Sequence, residues 1–193
     1  MKYETRPLYK DNYYLNLMET TCPDGKKWAY AKRVNTKGVV IIIPYITDLS
    51  EPSTVFLKTC RPPLIAEGVS EFNIEFPAGL VGDENKDETF EDALNKELLE
   101  ETGLKADKFI IKTDKLTSSA GCTSEVSTVA IAIISNSRQQ QKPVNDDGVI
   151  QERFLVKISE IKDFLNKCQN RGWTTGAQTL AGIYYLFEEI QIF

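Results

Sequence analysis

Residues 82–104 read GDENKDETFEDALNKELLEETGL, a loop that feeds an acidic helix. Thr89 followed three residues later by Asp92 is a capping-box pattern, so the helix is expected to begin near Thr89. Ala93, Leu94 and Leu98 make its apolar stripe. Gly103 stands where a helix closes in a left-handed cap. Glu97, Glu100 and Glu101 are spaced i, i+3, i+4, which sets three carboxylates on one side of the helix. Like charges at that spacing repel one another. A hard divalent cation removes the repulsion, and carboxylate oxygens suit Mg²⁺ or Mn²⁺.

An acidic helix of this kind can also be a plain solvated face. The glycines weigh against that. Gly82, Glu88, the run Lys96-Glu97-Leu98, the pair Glu100-Glu101, and Gly103-Leu104 fall at the fixed spacings of the Nudix box. From average residue usage such a match has a chance of roughly 10⁻⁷ in a chain of this length. The chain therefore resembles the Nudix hydrolases, with Lys96 where that family has arginine. The resemblance implies an α/β/α sandwich around a mixed sheet and metal-dependent hydrolysis of a nucleoside diphosphate linked to another group. It implies Glu97 and Glu101 as metal ligands, Glu100 as a further ligand or a base, and the Ala78 carbonyl as another donor. The arginine normally braces the catalytic carboxylates through several donors. Lysine keeps the charge but loses the planar fork, so weaker positioning is expected.

Further stretches resemble one branch of the family. IEFPAGL at residues 74–80, RPP at residues 61–63, and the pattern W-x-x-x-K-R on Trp28, Lys32 and Arg33 are similar to the ADP-sugar pyrophosphatases that cleave ADP-ribose, the animal enzymes especially. That resemblance runs from about residue 13 to the end. It implies residues 1–36 as an N-terminal β-hairpin that crosses between subunits of a homodimer, and residues 37–193 as the hydrolase domain. It implies adenine held between aromatic rings. Trp28 matches one stacking position, and Tyr14 falls where the other is usually tryptophan. Arg33 and Arg61 match substrate contacts, where the guanidinium fork suits diphosphate oxygens. The branch also places a glutamate before the last strand, and here that position is Val149. Asp146, Asp147 and Glu152 are the acids near it. Glu125 is a further acid that could face substrate or solvent.

Composition bounds the rest. The 193 residues suffice for one domain with its own core. The net charge is −5, and residues 88–101 alone hold six acids and one lysine. The remainder is near neutral, so general nucleic-acid binding is not expected. There is no histidine, which excludes an imidazole base and makes a nitrogen–sulfur zinc site improbable. The four cysteines form no CxxC pair and read as buried, inert thiols. No secretory signal and no long apolar run is present, so a soluble chain in the cytosol or nucleus, away from membrane, is expected.

Along the chain, residues 1–12 read as loose. Residues 13–21 and 26–34 read as a hairpin around the turn signal Pro23-Asp24-Gly25. Strands are expected at 38–46, 53–60, 72–76, 108–116, 126–135 and 149–156, a loop at 64–70, and helices at 158–168 and 176–190. The apolar hairpin residues Tyr13, Tyr14, Leu15, Leu17, Met18, Trp28 and Tyr30 cannot stabilise two strands alone. They need their own domain or a partner subunit. Two other functions stay open: hydrolysis of a different nucleoside diphosphate compound, and nucleotide-sugar sensing without turnover.

Overall fold

The computed structural model describes residues 3–10, 13–139, 141–143 and 148–191. A three-stranded antiparallel sheet, β1 (Glu4–Lys10), β2 (Leu15–Thr21) and β3 (Lys27–Arg33), precedes the main body. The loose N-terminus expected from sequence is thus corrected: its described residues form an edge strand. β1 carries no buried residue, so no alternation announced it. It is held by cross-strand pairs, Thr5 to Thr20 and Arg6 to Glu19 at 2.9 Å. Pro7 fits because an edge strand can spare an N–H.

The body is built on β4 (Gly38–Ile46), β5 (Ser53–Thr59), β6 (Asn73–Glu75), β7 (Ala78–Val81), β8 (Lys108–Leu116), β9 (Ser127–Ile134), β10 (Ile150–Lys157) and β11 (Thr174–Thr175). Its helices are α1 (Pro62–Ala66), α2 (Phe90–Thr102), α3 (Ile161–Asn170) and α4 (Ala177–Glu189). The segment expected as a loop after Arg61 in fact opens with the short α1, whose two N-terminal prolines suit a first turn. The sheet is mixed: β4 runs parallel to β9, while β8 pairs antiparallel with β9 and β10 with β5.

Strand β4 explains the layers. Val40, Ile42 and Ile46 point to one face and pack with Ala93, Leu94 and Leu98 of α2. Ile41 and Ile43 point to the other and pack with Phe76, Ile161, Ile183 and Leu186. Period two on a strand buried on both faces reads in sequence as a continuous apolar run. The result is an α/β/α sandwich, as the sequence indicates. Among the described residues no helix is long and apolar enough to cross a membrane. The cysteines depart from expectation. Cys168 is buried, Cys22 and Cys60 are half-buried, and Cys122 is exposed.

One irregularity creates the cleft. β4 and β5 pair only at Ile46 and Ser53. Beyond that pair, β5 takes β6 as its neighbour and β4 takes β7. The chain crosses from one to the other at Phe76-Pro77, where the proline has no N–H to lose. The Pro77 carbonyl accepts from the Ile42 N–H at 2.8 Å.

Candidate active site

Helix α2 begins as its sequence dictates. Thr89 Oγ1 accepts from the Asp92 N–H at 3.1 Å, and Asp92 returns the bond to the Thr89 N–H at 3.0 Å. Gly103 closes the helix at φ 76°. With the ends fixed and Leu94 and Leu98 in the core, Glu97 and Glu101 are driven against β7 and become buried, 8% and 9% exposed. Gly79 makes room for this. A Cβ there would lie 2.0 Å from Glu97 Cδ, so only glycine lets that carboxylate rest on the strand.

The two carboxylates are held by different partners. Glu101 Oε2 accepts from the Ala78 N–H at 2.9 Å. Lys96 Nζ lies 3.4 Å from Glu97 Oε1 and 3.2 Å from Glu88 Oε1, and the other Glu88 oxygen accepts from the Gly82 N–H at 2.7 Å. Lysine thus spans two box carboxylates as a point charge. Burial opposes its charge, but its bond to Glu88 and the charges of Glu97, Glu88 and Glu84 outweigh that and hold the ammonium well above its ordinary range. Glu100 is half-buried. Among the described residues no three acidic or thiol side chains form a ready cation cluster.

Burial pushes the Glu97 carboxyl up to about 7; Lys96 pulls it down, while Glu100 and Asp83 push further. Burial likewise pushes Glu101 up to about 8, against the Ala78 N–H, with Glu97 adding to the rise. Two buried oxygen donors that resist ionisation, Glu97 beside Lys96 and Glu101 on the Ala78 N–H, fit a hard divalent cation by donor chemistry. A prediction follows from the sign. Between about pH 4.5, the ordinary carboxylate value, and about pH 8, the folded chain holds more protons than the unfolded chain. Stability in EDTA should therefore fall as pH rises across that window. Melting curves should show a drop of roughly 5–10 °C, with Mg²⁺ restoring most at the alkaline end. A Tm in EDTA as flat as that of the Glu97→Gln/Glu101→Gln variant would show that these groups titrate normally.

A cavity of about 170 Å³ is lined by Glu97, Glu101, Arg61, Glu75, Ala78 and Val149. It opens into a cleft of about 490 Å³ that adds Arg33, Glu125, Gly79 and Gln178. The structure thus gathers Ala78, Glu97, Glu101, Arg33, Arg61 and Glu125, whose outermost members lie 92 positions apart in sequence. Two features were not foreseen. Arg61 is already engaged: its Nε and Nη2 both donate to Glu75, and Asn73 Nδ2 supports the same carboxylate. Arg33 Nε donates to Glu125 Oε2 at 2.6 Å. Both arginines read as substrate contacts therefore meet a carboxylate. Glu75 was missed; its signal was an acid inside the apolar run before Pro77-Ala78-Gly79.

Among the described residues, neither candidate next to the expected glutamate position supplies a free carboxylate to the site. Val149 lines the small cavity, and its carbonyl accepts from the Cys60 N–H at 2.8 Å. Glu152 is drawn to Lys58 at 3.3 Å. Asp146 and Asp147 lie outside the described residues. Trp28, 56% exposed, donates from Nε1 to the Gly121 carbonyl at 2.7 Å. Tyr14, 75% exposed, pairs through its carbonyl with the Val34 N–H. Trp28 is opposite Thr20, so six residues of near-extended chain, ~20 Å, separate Tyr14 from Trp28 along the backbone ladder within one chain.

Comparison with known proteins agrees with this architecture. A sequence profile of the NUDIX domain matches residues 43–174. No curated protein matches the chain. Among solved structures, an ADP compounds hydrolase superposes with a TM-score of 0.68 at 15% identity, covering 97% of this chain and 92% of its own. The NUDIX domain of Shewanella oneidensis NrtR, complexed with ADP ribose, gives 0.56 at 15% identity over 79% of this chain and 86% of its own. A C. elegans Ap4A hydrolase gives 0.51 at 14% identity over 80% of this chain and 99% of its own. At such identities the superpositions speak for the fold alone. The profile match, spanning most of the chain and including the buried pair Glu97 and Glu101, shows that the chain belongs to the NUDIX family of hydrolases.

Proposed function

We propose that this chain hydrolyses the diphosphate of ADP-ribose or a related ADP-sugar, giving AMP and a sugar phosphate. The observation that carries the reading is the convergence of Glu97, Glu101, Arg33 and Arg61 on one connected cleft. Net charge along its walls decides the order of events. Glu75 and Glu125 already offset Arg33 and Arg61, and Glu97 and Glu101 add negative charge as they ionise, so a bare diphosphate meets no net positive wall.

A Mg²⁺ or Mn²⁺ ion on Glu97 and Glu101, with Glu100 and the Ala78 carbonyl as further donors, would supply the missing positive charge and acidify a water. The chain's residues do the rest. Lys96 keeps the Glu97 carboxylate against β7. Arg61 and Arg33 share the charge of the diphosphate, trading carboxylate contacts for phosphate ones. The water oxygen bonds to one phosphorus as the bridging P–O bond breaks. With Val149 apolar and Glu152 engaged by Lys58, Glu100 is the candidate for the water proton. Trp28 offers a ring whose N–H is already fixed by Gly121, so stacking adenine orders little more; such stacking contributes roughly 1–3 kcal/mol. The spacing of Tyr14 and Trp28 supports a sandwich made by two chains, and the exposed Tyr9, Tyr14, Leu15 and Leu17 supply apolar area for a homodimer.

A second reading is a nucleotide-sugar sensor, favoured by one observation, the valine at position 149 in the small cavity. Product analysis separates the two. ADP-ribose, ADP-glucose, GDP-mannose and 8-oxo-dGDP are each incubated with Mg²⁺ or Mn²⁺. AMP and ribose 5-phosphate, formed fastest from ADP-ribose and absent in EDTA, are expected. Thermal stabilisation by ADP-ribose without any product would favour the sensor.

A further inference from the structure

The cleft does not end at Arg33. A third cavity, about 290 Å³, continues past it and shares Arg33, Val39 and Glu125 with the central one. Its charge is reversed. Lys32, Arg33 and Lys37 line it against the single carboxylate of Glu125, a net of +2 in a chain whose total is −5. The two inner cavities together carry four carboxylates against two guanidiniums.

The basic wall is also built rather than loose. Lys37 Nζ donates to the Glu88 carbonyl at 2.9 Å. The opposite wall is tied to β3, since the Ala31 N–H donates to the Cys122 carbonyl at 2.8 Å and the Ser124 N–H to the Ala31 carbonyl at 3.2 Å. Among the described residues no acid is paired with Lys32 within ion-pair distance. A neutral sugar or base gains nothing from such a wall. A phosphomonoester, carrying close to two negative charges at neutral pH, gains most.

We propose that this cavity is a subsite for a phosphomonoester borne by the substrate beyond its bridging diphosphate. The preferred substrate class is then a nucleoside diphosphate sugar with one additional phosphate on a ribose. Arg33 stands at the junction, where it can touch the diphosphate on one side and the extra phosphate on the other. The proposal rests on the hydrolase reading and deepens it.

The test compares ADP-ribose with two derivatives, one phosphorylated on the adenosine ribose and one on the terminal ribose, at saturating Mg²⁺. One derivative is expected to exceed ADP-ribose in kcat/KM by roughly tenfold, chiefly through KM. Lys32→Ala should remove that gain and Lys32→Glu should reverse it, while the KM for ADP-ribose moves less than about twofold. Added salt should shrink the gain in the wild-type protein. Equal kcat/KM for all three compounds would overturn the subsite, as would a Lys32→Glu loss that is the same for ADP-ribose and its derivatives. Product from none of the three would instead refute the hydrolase reading, and calorimetric Kd values for the same compounds then decide the subsite by the same comparison.

Discussion

Glu101→Gln is expected to lower turnover by about three orders of magnitude and, in EDTA at pH 8, to raise the melting temperature. The first effect follows from charge. The amide keeps the shape but cannot ionise, so it cannot hold a hard cation as a carboxylate does. The second follows from burial. The Glu101 carboxyl is buried, pushed up to about 8 by burial and by Glu97. Near that pH the folded protein carries a partly ionised group that gains little from its surroundings. Glutamine removes the penalty, and its carbonyl oxygen can still accept the Ala78 N–H. Turnover and calorimetry on one preparation check both. Near wild-type turnover would sink Glu101 as a functional group. Lost turnover together with a lower Tm would mean that its role is structural.

The second large effect is expected at Gly79, a residue with no chemistry of its own. An alanine Cβ there would sit 2.0 Å from Glu97 Cδ and 2.2 Å from Oε1. No real Cβ tolerates that, so the carboxylate must leave. The helix cannot retreat, because Leu98 beside Glu97 has no exposed surface and Leu94 has almost none. The side chain must swing off β7 instead. A displacement near 1 Å at a catalytic group costs on the order of 10²-fold in rate, so Gly79→Ala should lose at least that while losing roughly 1–3 kcal/mol of stability. Gly121→Ala is the control. Its Cβ would meet only Trp28 at an ordinary 3.8 Å, and both stability and rate should stay close to wild type. If Gly79→Ala retained full activity, the seat of Glu97 on β7 would be irrelevant to function.

How much of this was legible in the sequence depended on whether the information was local. The capping box, the left-handed Gly103 and the apolar stripe of α2 are decided within a few residues, and they appear as read. The central strands were clear because Val, Ile and Leu on both faces leave little choice. Strand β1 was not legible: its seven residues are all exposed, and what holds them lies across the ladder on β2. The engaged state of the arginines was equally hidden. Arg33 meets Glu125 from 92 positions away, and Arg61 meets Glu75 only because the chain crosses from β5 to β6 and back to β4. Sequence spacing can name such groups as candidates for phosphate. It cannot say which carboxylate each of them meets across the fold.

The separation of Tyr14 from Trp28 has a genetic reading. If each adenine site takes Tyr14 from one chain and Trp28 from the other, the lesions Tyr14→Ala and Trp28→Ala are complementary. A dimer of one variant with the other would carry both lesions in one site and none in its second. Random pairing makes half the dimers mixed, so an equal mixture after subunit exchange should regain about a quarter of the wild-type sites, although neither variant alone has any intact one.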